Sequence, residues 1–89
     1  MKADHADATK KIKIAKGQLD GILRMIDDDR YCIDISTQLM STIALLKNVN
    51  KMILRAHVRS CVKEALSTDE DNPKVEEALA VLEKMADQA

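Results

Sequence analysis

From Cys32 to Leu66 the chain contains neither glycine nor proline. A run of more than 30 residues without a breaker reads as one helix, far longer than the ~11–12 residues of an average globular helix. Within it, Cys32, Ser36, Leu39, Ile43, Leu46, Asn50, Ile53, His57 and Cys61 recur at alternating threes and fours. That near-heptad stripe needs a partner of similar length. An 89-residue chain with one tyrosine and neither phenylalanine nor tryptophan has a limited core to offer it. Chains this small commonly gain stability from oligomerisation or a bound metal.

The flanking segments predict two more helices. Ile12, Ala15, Leu19, Ile22, Leu23 and Ile26 mark a first helix over about 6–27, after five residues that read as frayed. Gly17 and Gly21 lie four apart on it and point to close approach of another backbone, or else to chance. The run Asp27–Asp29 opposes the helix dipole and ends it. Ser67 to Asn72 is polar, and Asn72 before Pro73 forms an N-cap signal. Val75, Ala78, Leu79, Leu82 and Met85 then predict a third helix over about 73–87. The class is all-α, a single domain over 1–89 with helices near 6–27, 32–66 and 73–87. Within the long stripe, Asn50 reads either as a buried register-setting residue or as an edge position in water.

Two thiols and one imidazole stand out on that stripe. His57 and Cys61 are four apart and therefore stack on one helix face. Cys32 lies about 37 Å away along a continuous helix, at ~1.5 Å per residue. One chain cannot bring Cys32 to His57, but an antiparallel copy can. The two-fold axis then falls near Leu45 and Leu46, inside the apolar IALL segment. Taken singly, each cysteine is an ordinary small buried hydrophobe and His57 an edge residue. Taken together, they predict two identical sites between subunits.

Two thiolates and an imidazole form a soft donor set suited to Cu(I) or Zn(II). Zinc prefers four ligands, whereas Cu(I) is satisfied by two or three, so Cu(I) fits better. His5 could add a donor for Ni(II) if the N-terminus folds back. Catalysis by Cys61 with His57 as base lacks a Gly-rich turn, an oxyanion donor and an orienting group, so an enzyme is not expected. No apolar run approaches the ~20 residues of a membrane span. The N-terminal MKADHADATKK lacks the apolar stretch of a secretory signal. The expectation is a cytoplasmic protein with reduced thiols. Net charge is −1, yet Lys10, Lys11, Lys13, Lys16 and Arg24 concentrate in the first helix. Such local patches matter more for nucleic acid than the total.

The segment GQLDGILRMIDDDRYCIDI, the long helix and the HVRSC element resemble the CsoR/RcnR family of copper-sensing bacterial repressors over essentially the whole chain. The resemblance implies Cu(I) held by Cys32 of one subunit and His57 with Cys61 of another. It implies Tyr31 and Glu77, with Glu76 adjacent, as outer partners of the ligands. It implies three-helix protomers, an antiparallel four-helix-bundle dimer and a homotetramer that binds double-stranded operator DNA through Lys10, Lys11, Lys13, Lys16 and Arg24. Copper would release the DNA. This chain departs from the family where lysines replace arginines and where Asn48 takes a basic position. The presence of His57 beside both cysteines favours copper over the persulfide- and nickel-sensing relatives. A helical interaction module without DNA binding is the alternative outside the family.

Overall fold

The computed structural model describes residues 1–66 and 73–87, with backbone alone at 65, 66, 74 and 75. Its elements are α1 (His5–Asp27), α2 (Cys32–Leu66) and α3 (Pro73–Asp87). There is no strand among the described residues. The Asn72 cap and the Ser67–Asn72 linker lie outside the described residues, as does the Val75 side chain. The chain divides into two compact units, one of residues 5–49 and one of residues 1–4 with 50–89. Helix α2 runs through both without a break.

The first unit is a hairpin of α1 and the N-terminal half of α2. Helix α1 ends on a left-handed residue, Asp29, with φ of 53°. The Arg30 N–H then reaches back to the Met25 carbonyl at 3.0 Å, and the Asp29 N–H to that of Ile26 at 3.0 Å. This is the reversed turn that usually selects glycine, filled here by an aspartate, one of the few side chains that tolerate it. The Tyr31 carbonyl opens α2 by accepting the N–H groups of Asp34 at 3.0 Å and Ile35 at 3.2 Å. Asp34 in the first turn complements the dipole.

The hairpin buries residues at heptad spacing, most of them small. Ala8, Ala15 and Ile22 of α1 are buried, as are Thr42 and Val49 of α2. The Thr42 hydroxyl, 2% exposed, lies 2.7 Å from Gln18 Oε1 and donates to it across the two helices. The stripes expected from the sequence are only partly inward. Ala15 and Ile22 are buried, but Ile12, Leu19, Leu23 and Ile26 are exposed, and so are Leu39, Ile43 and Leu46 on α2. Most of the larger apolar residues of both helices thus form a second, outer face, and Ala8, Ala15 and Ile22 of α1 with Thr42 and Val49 of α2 form the inner one. Among the described residues, Gly17 and Gly21 do not mark a contact with another helix. Nothing lies within 4 Å of a Cβ placed at Gly17, and at Gly21 only the Arg24 guanidinium comes near, at 3.7 Å.

The second unit pairs the C-terminal half of α2 with α3. Cys61 and Ala78 are its buried apolar side chains among those described, together with Ala3 from the N-terminal residues. The burial of Ala3 departs from the expectation of a frayed start. A methyl group costs no rotamer entropy to bury. On α3 the half-buried residues beside Ala78 are Glu77, Val81 and Met85, while Leu79 and Leu82 are exposed. Asn50 is half-buried, between the two positions expected for it.

Candidate metal centre

His57 and Cys61 occupy successive turns of α2, and Glu77 reaches them from the second turn of α3. The i,i+4 stacking legible in HVRSC puts Cys61 Sγ 3.4 Å from His57 Nε2. The same nitrogen lies 2.7 Å from Glu77 Oε1. If Nε2 carries the ring proton, the imidazole donates to the carboxylate. Cys61 is 2% exposed, while the His57 and Glu77 side chains are 36% and 42% exposed. The cluster is therefore dry on the sulfur side and open on the other. One donor atom from each of the three residues falls within 4.8 Å of the other two. Among the described residues this is the one group of three metal-capable side chains so placed.

The family resemblance names Glu77, with Glu76 adjacent, as an outer partner of the ligands and not as a metal donor. The structure brings Glu77 to His57 and leaves Glu76 exposed. The helical period carries the distinction: Glu77 is four residues before Val81 and eight before Met85, on the half-buried side of α3. Cys32 is the first residue of α2 and is exposed, and Tyr31 beside it is 68% exposed. His5 begins α1 and lines an open groove with Ala6, Thr9, Lys10, Lys13 and Ile14.

The basic residues of α1 do not form one group. Lys10, Lys13, Lys16 and Arg24 are exposed and lie within about 120° of the helix circumference at roughly 100° per residue. Lys11 points elsewhere. Its ammonium pairs with Asp7 at 3.3 Å and approaches Asn48 Oδ1 at 3.5 Å, on the side of α1 that faces α2.

A buried thiol, an imidazole and a carboxylate on two helices, in a chain that also carries an exposed basic arc, suit a regulator better than a catalyst. A family model for metal-sensitive transcriptional repressors matches residues 4–84. The chain belongs to that family. Members of this repressor family act by binding, not by turnover, so the chain is not an enzyme. The copper-sensing transcriptional repressor CsoR of Bacillus subtilis is 36% identical over 76 residues, 85% of this chain and 75% of that protein. CsoR of Mycobacterium ulcerans is 32% identical over 72 residues, 81% of this chain and 62% of its own length. The copper-sensing repressor RicR of Mycobacterium tuberculosis is 38% identical over 58 residues, 65% of this chain and 60% of its own length. The chain thus spans three-quarters of the Bacillus protein and about three-fifths of the mycobacterial ones. No solved structure matches significantly. No helix among the described residues is long and apolar enough to cross a membrane.

Proposed function

We propose that this repressor senses Cu(I), binding operator DNA in its metal-free form and releasing it when copper binds. The observation that carries the reading is His57, held by one nitrogen between the Cys61 sulfur and the Glu77 carboxylate, in a chain whose relatives are copper-sensing repressors. The donor set fits. Cys61 and His57 are already adjacent, and Cys32 is exposed on the protomer, where the thiol of a second copy can complete the site. Bound Cu(I) would supply a soft, singly charged centre for two thiolates and an imidazole. A sulfur-sensing relative needs no histidine, so the engagement of His57 favours the metal.

A dimer follows from the outer apolar face. Leu39, Ile43 and Leu46 on α2, with Ile12, Leu19, Leu23 and Ile26 on α1, are all exposed on the single chain. An antiparallel copy laid on this face buries both rows and sets Cys32 of one chain beside His57 and Cys61 of the other. Pairs of dimers would form a homotetramer. The exposed arc of Lys10, Lys13, Lys16 and Arg24 then supplies the phosphate contacts, with Lys11 contributing less because it turns toward Asp7. The protein would act in the cytoplasm, where thiols stay reduced.

The switch lies at His57. With Nε2 donating to Glu77, the ring is oriented and α2 is tied to α3. A ligand that requires a particular ring position can favour one α2–α3 arrangement over another. His57→Ala is therefore expected to bind Cu(I) tightly through the two cysteines yet remain on the operator. The test is operator affinity with and without saturating Cu(I), under anaerobic conditions. Wild type should lose roughly 5–150-fold in affinity, the range of a ~1–3 kcal/mol coupling. Full release of the His57→Ala protein would show the cysteines to be the whole switch.

A further inference from the structure

The cluster of His57, Cys61 and Glu77 contains three potential ligands from one chain. We infer that it is a site for a borderline divalent cation such as Zn(II), with Glu77 as a direct ligand and no contribution from Cys32. This rests on the metal-sensing reading of the same cluster but assigns it a second coordination mode.

The geometry favours a tetrahedral ion. Zinc bonds of about 2.05 Å to nitrogen and about 2.3 Å to sulfur place the two donors about 3.5 Å apart at the tetrahedral angle. Cys61 Sγ and His57 Nε2 are 3.4 Å apart. Glu77 Oε1 is 2.7 Å from Nε2, and a zinc-bound carboxylate would stand about 3.3 Å from it, so that side chain must withdraw by about 0.6 Å. Its 42% exposure leaves it room to do so. The Cys61 and Glu77 donor atoms lie within 4.8 Å of each other, near enough for the exposed carboxylate to swing onto an ion held by the other two.

The chemistry points to a 2+ ion. A thiolate and a carboxylate neutralise two charges, and the imidazole adds none. Coordination releases the Cys61 thiol proton to solvent. The neutral ring, protonated at Nε2 while it donates to Glu77, gives that proton to solvent and takes one up at Nδ1, so Nε2 is free to ligate and the ring stays neutral. Three protein ligands with a fourth position open to water is an established zinc arrangement, and the half-exposed side of the cluster provides that opening. A carboxylate is a poor donor for Cu(I). The two ions therefore divide the residues: Cu(I) takes the partner's thiol and leaves Glu77 to the imidazole, whereas Zn(II) takes Glu77 and leaves Cys32 free. Because Nε2 then binds metal, a shared ion replaces its hydrogen bond to Glu77.

The experiment uses the full, reduced, metal-free chain. Co(II) serves as the spectroscopic probe and Zn(II) as its competitor, in wild type, Cys32→Ala and Glu77→Gln. In Cys32→Ala the remaining thiol is Cys61. A thiolate-to-cobalt charge-transfer band with intense tetrahedral ligand-field bands, abolished on adding one Zn(II) per chain, is the expected result. Absence of that band in Cys32→Ala overturns the proposal without relying on the Glu77 variant. Zn(II) affinity should change less than about threefold in Cys32→Ala and fall by at least about tenfold in Glu77→Gln. An unchanged affinity in Glu77→Gln also overturns it. A parallel Cu(I) titration should give the opposite ranking. If Cys32→Ala keeps full Cu(I) affinity while the cobalt band persists, the intersubunit copper reading fails and the single-chain site stands.

Discussion

The two hairpins of this chain use α2 in opposite ways. In the α1–α2 hairpin the inner face is made of Ala8, Ala15, Ile22, Thr42 and Val49, and Ile12, Leu19, Leu23, Leu39, Ile43 and Leu46 are exposed. In the α2–α3 hairpin the best-buried position on α2 is Cys61, a residue with chemistry of its own. One unit keeps its binding capacity on the outside, as an apolar surface. The other keeps it inside, where a ligand and a packing residue are the same atom. The first leaves that surface exposed on the protomer. In the second, the buried sulfur lies beside His57, which is itself hydrogen-bonded to Glu77 of α3.

The sharpest way to break this comparison is to put a charge on the outer face. Ile43→Glu places a carboxylate at the centre of the apolar row, where an antiparallel copy paired about Leu45 and Leu46 would bury it opposite the stretch from Leu46 to Asn50 of the other chain. Unpaired buried charges cost several kcal/mol. The expected outcome is a monomer by sedimentation velocity, with operator binding abolished and the α1–α2 hairpin still helical by circular dichroism. A dimer of unchanged stability would show that the row is not the interface.

Charge reversal on α1 tests a smaller division. Lys13→Glu with Lys16→Glu should weaken operator binding strongly. It should also reduce the slope of log affinity against log salt by roughly 0.9 for each phosphate no longer neutralised. Lys11→Glu should do much less to the salt slope, because Lys11 is turned to Asp7 and Asn48. Equal slopes for the two variants would erase the distinction between the exposed arc and the inner lysine.

The smallest effect belongs to the turn between the helices. Asp29 holds a left-handed conformation, and Asp29→Gly removes its steric cost while leaving the packing of both units as it is. A gain of about 0.5–1 kcal/mol in urea unfolding is expected. A loss of stability instead would mean that the aspartate side chain contributes more than its backbone costs.

These contrasts show what the residues alone could tell. The unbroken run from Cys32 to Leu66 and the His57–Cys61 spacing were legible because helix length and i,i+4 stacking depend on neighbours in sequence. The separation of inner from outer face was not. Both α1 and α2 are apolar on two arcs, and periodicity favours the arc with the bulkier residues. Most of those the protomer leaves exposed, and it buries Ala8, Ala15 and Ile22 of α1 against Thr42 and Val49 of α2. Glu77 came from the family resemblance and not from the residues by themselves; the rotational setting of α3, with Ala78, Val81 and Met85 turned inward, is what puts it beside His57 and leaves Glu76 exposed. The pairing of Thr42 with Gln18 gave no signal, since a threonine amid apolar residues reads as a neutral substitution until its partner is known.

The unequal exposure of the two cysteines has a consequence in time rather than affinity. An oxidant or alkylating agent that meets the single protomer finds Cys32 at the surface and Cys61 sealed at 2% exposure. Chemical damage tracks access as well as thiolate character. The two thiols therefore age at different rates, and Cys32 is spent first. A protein that has lost Cys32 in this way still carries His57, Cys61 and Glu77 in place. Injury then removes the donor that a second chain would contribute and spares the three that one chain holds by itself.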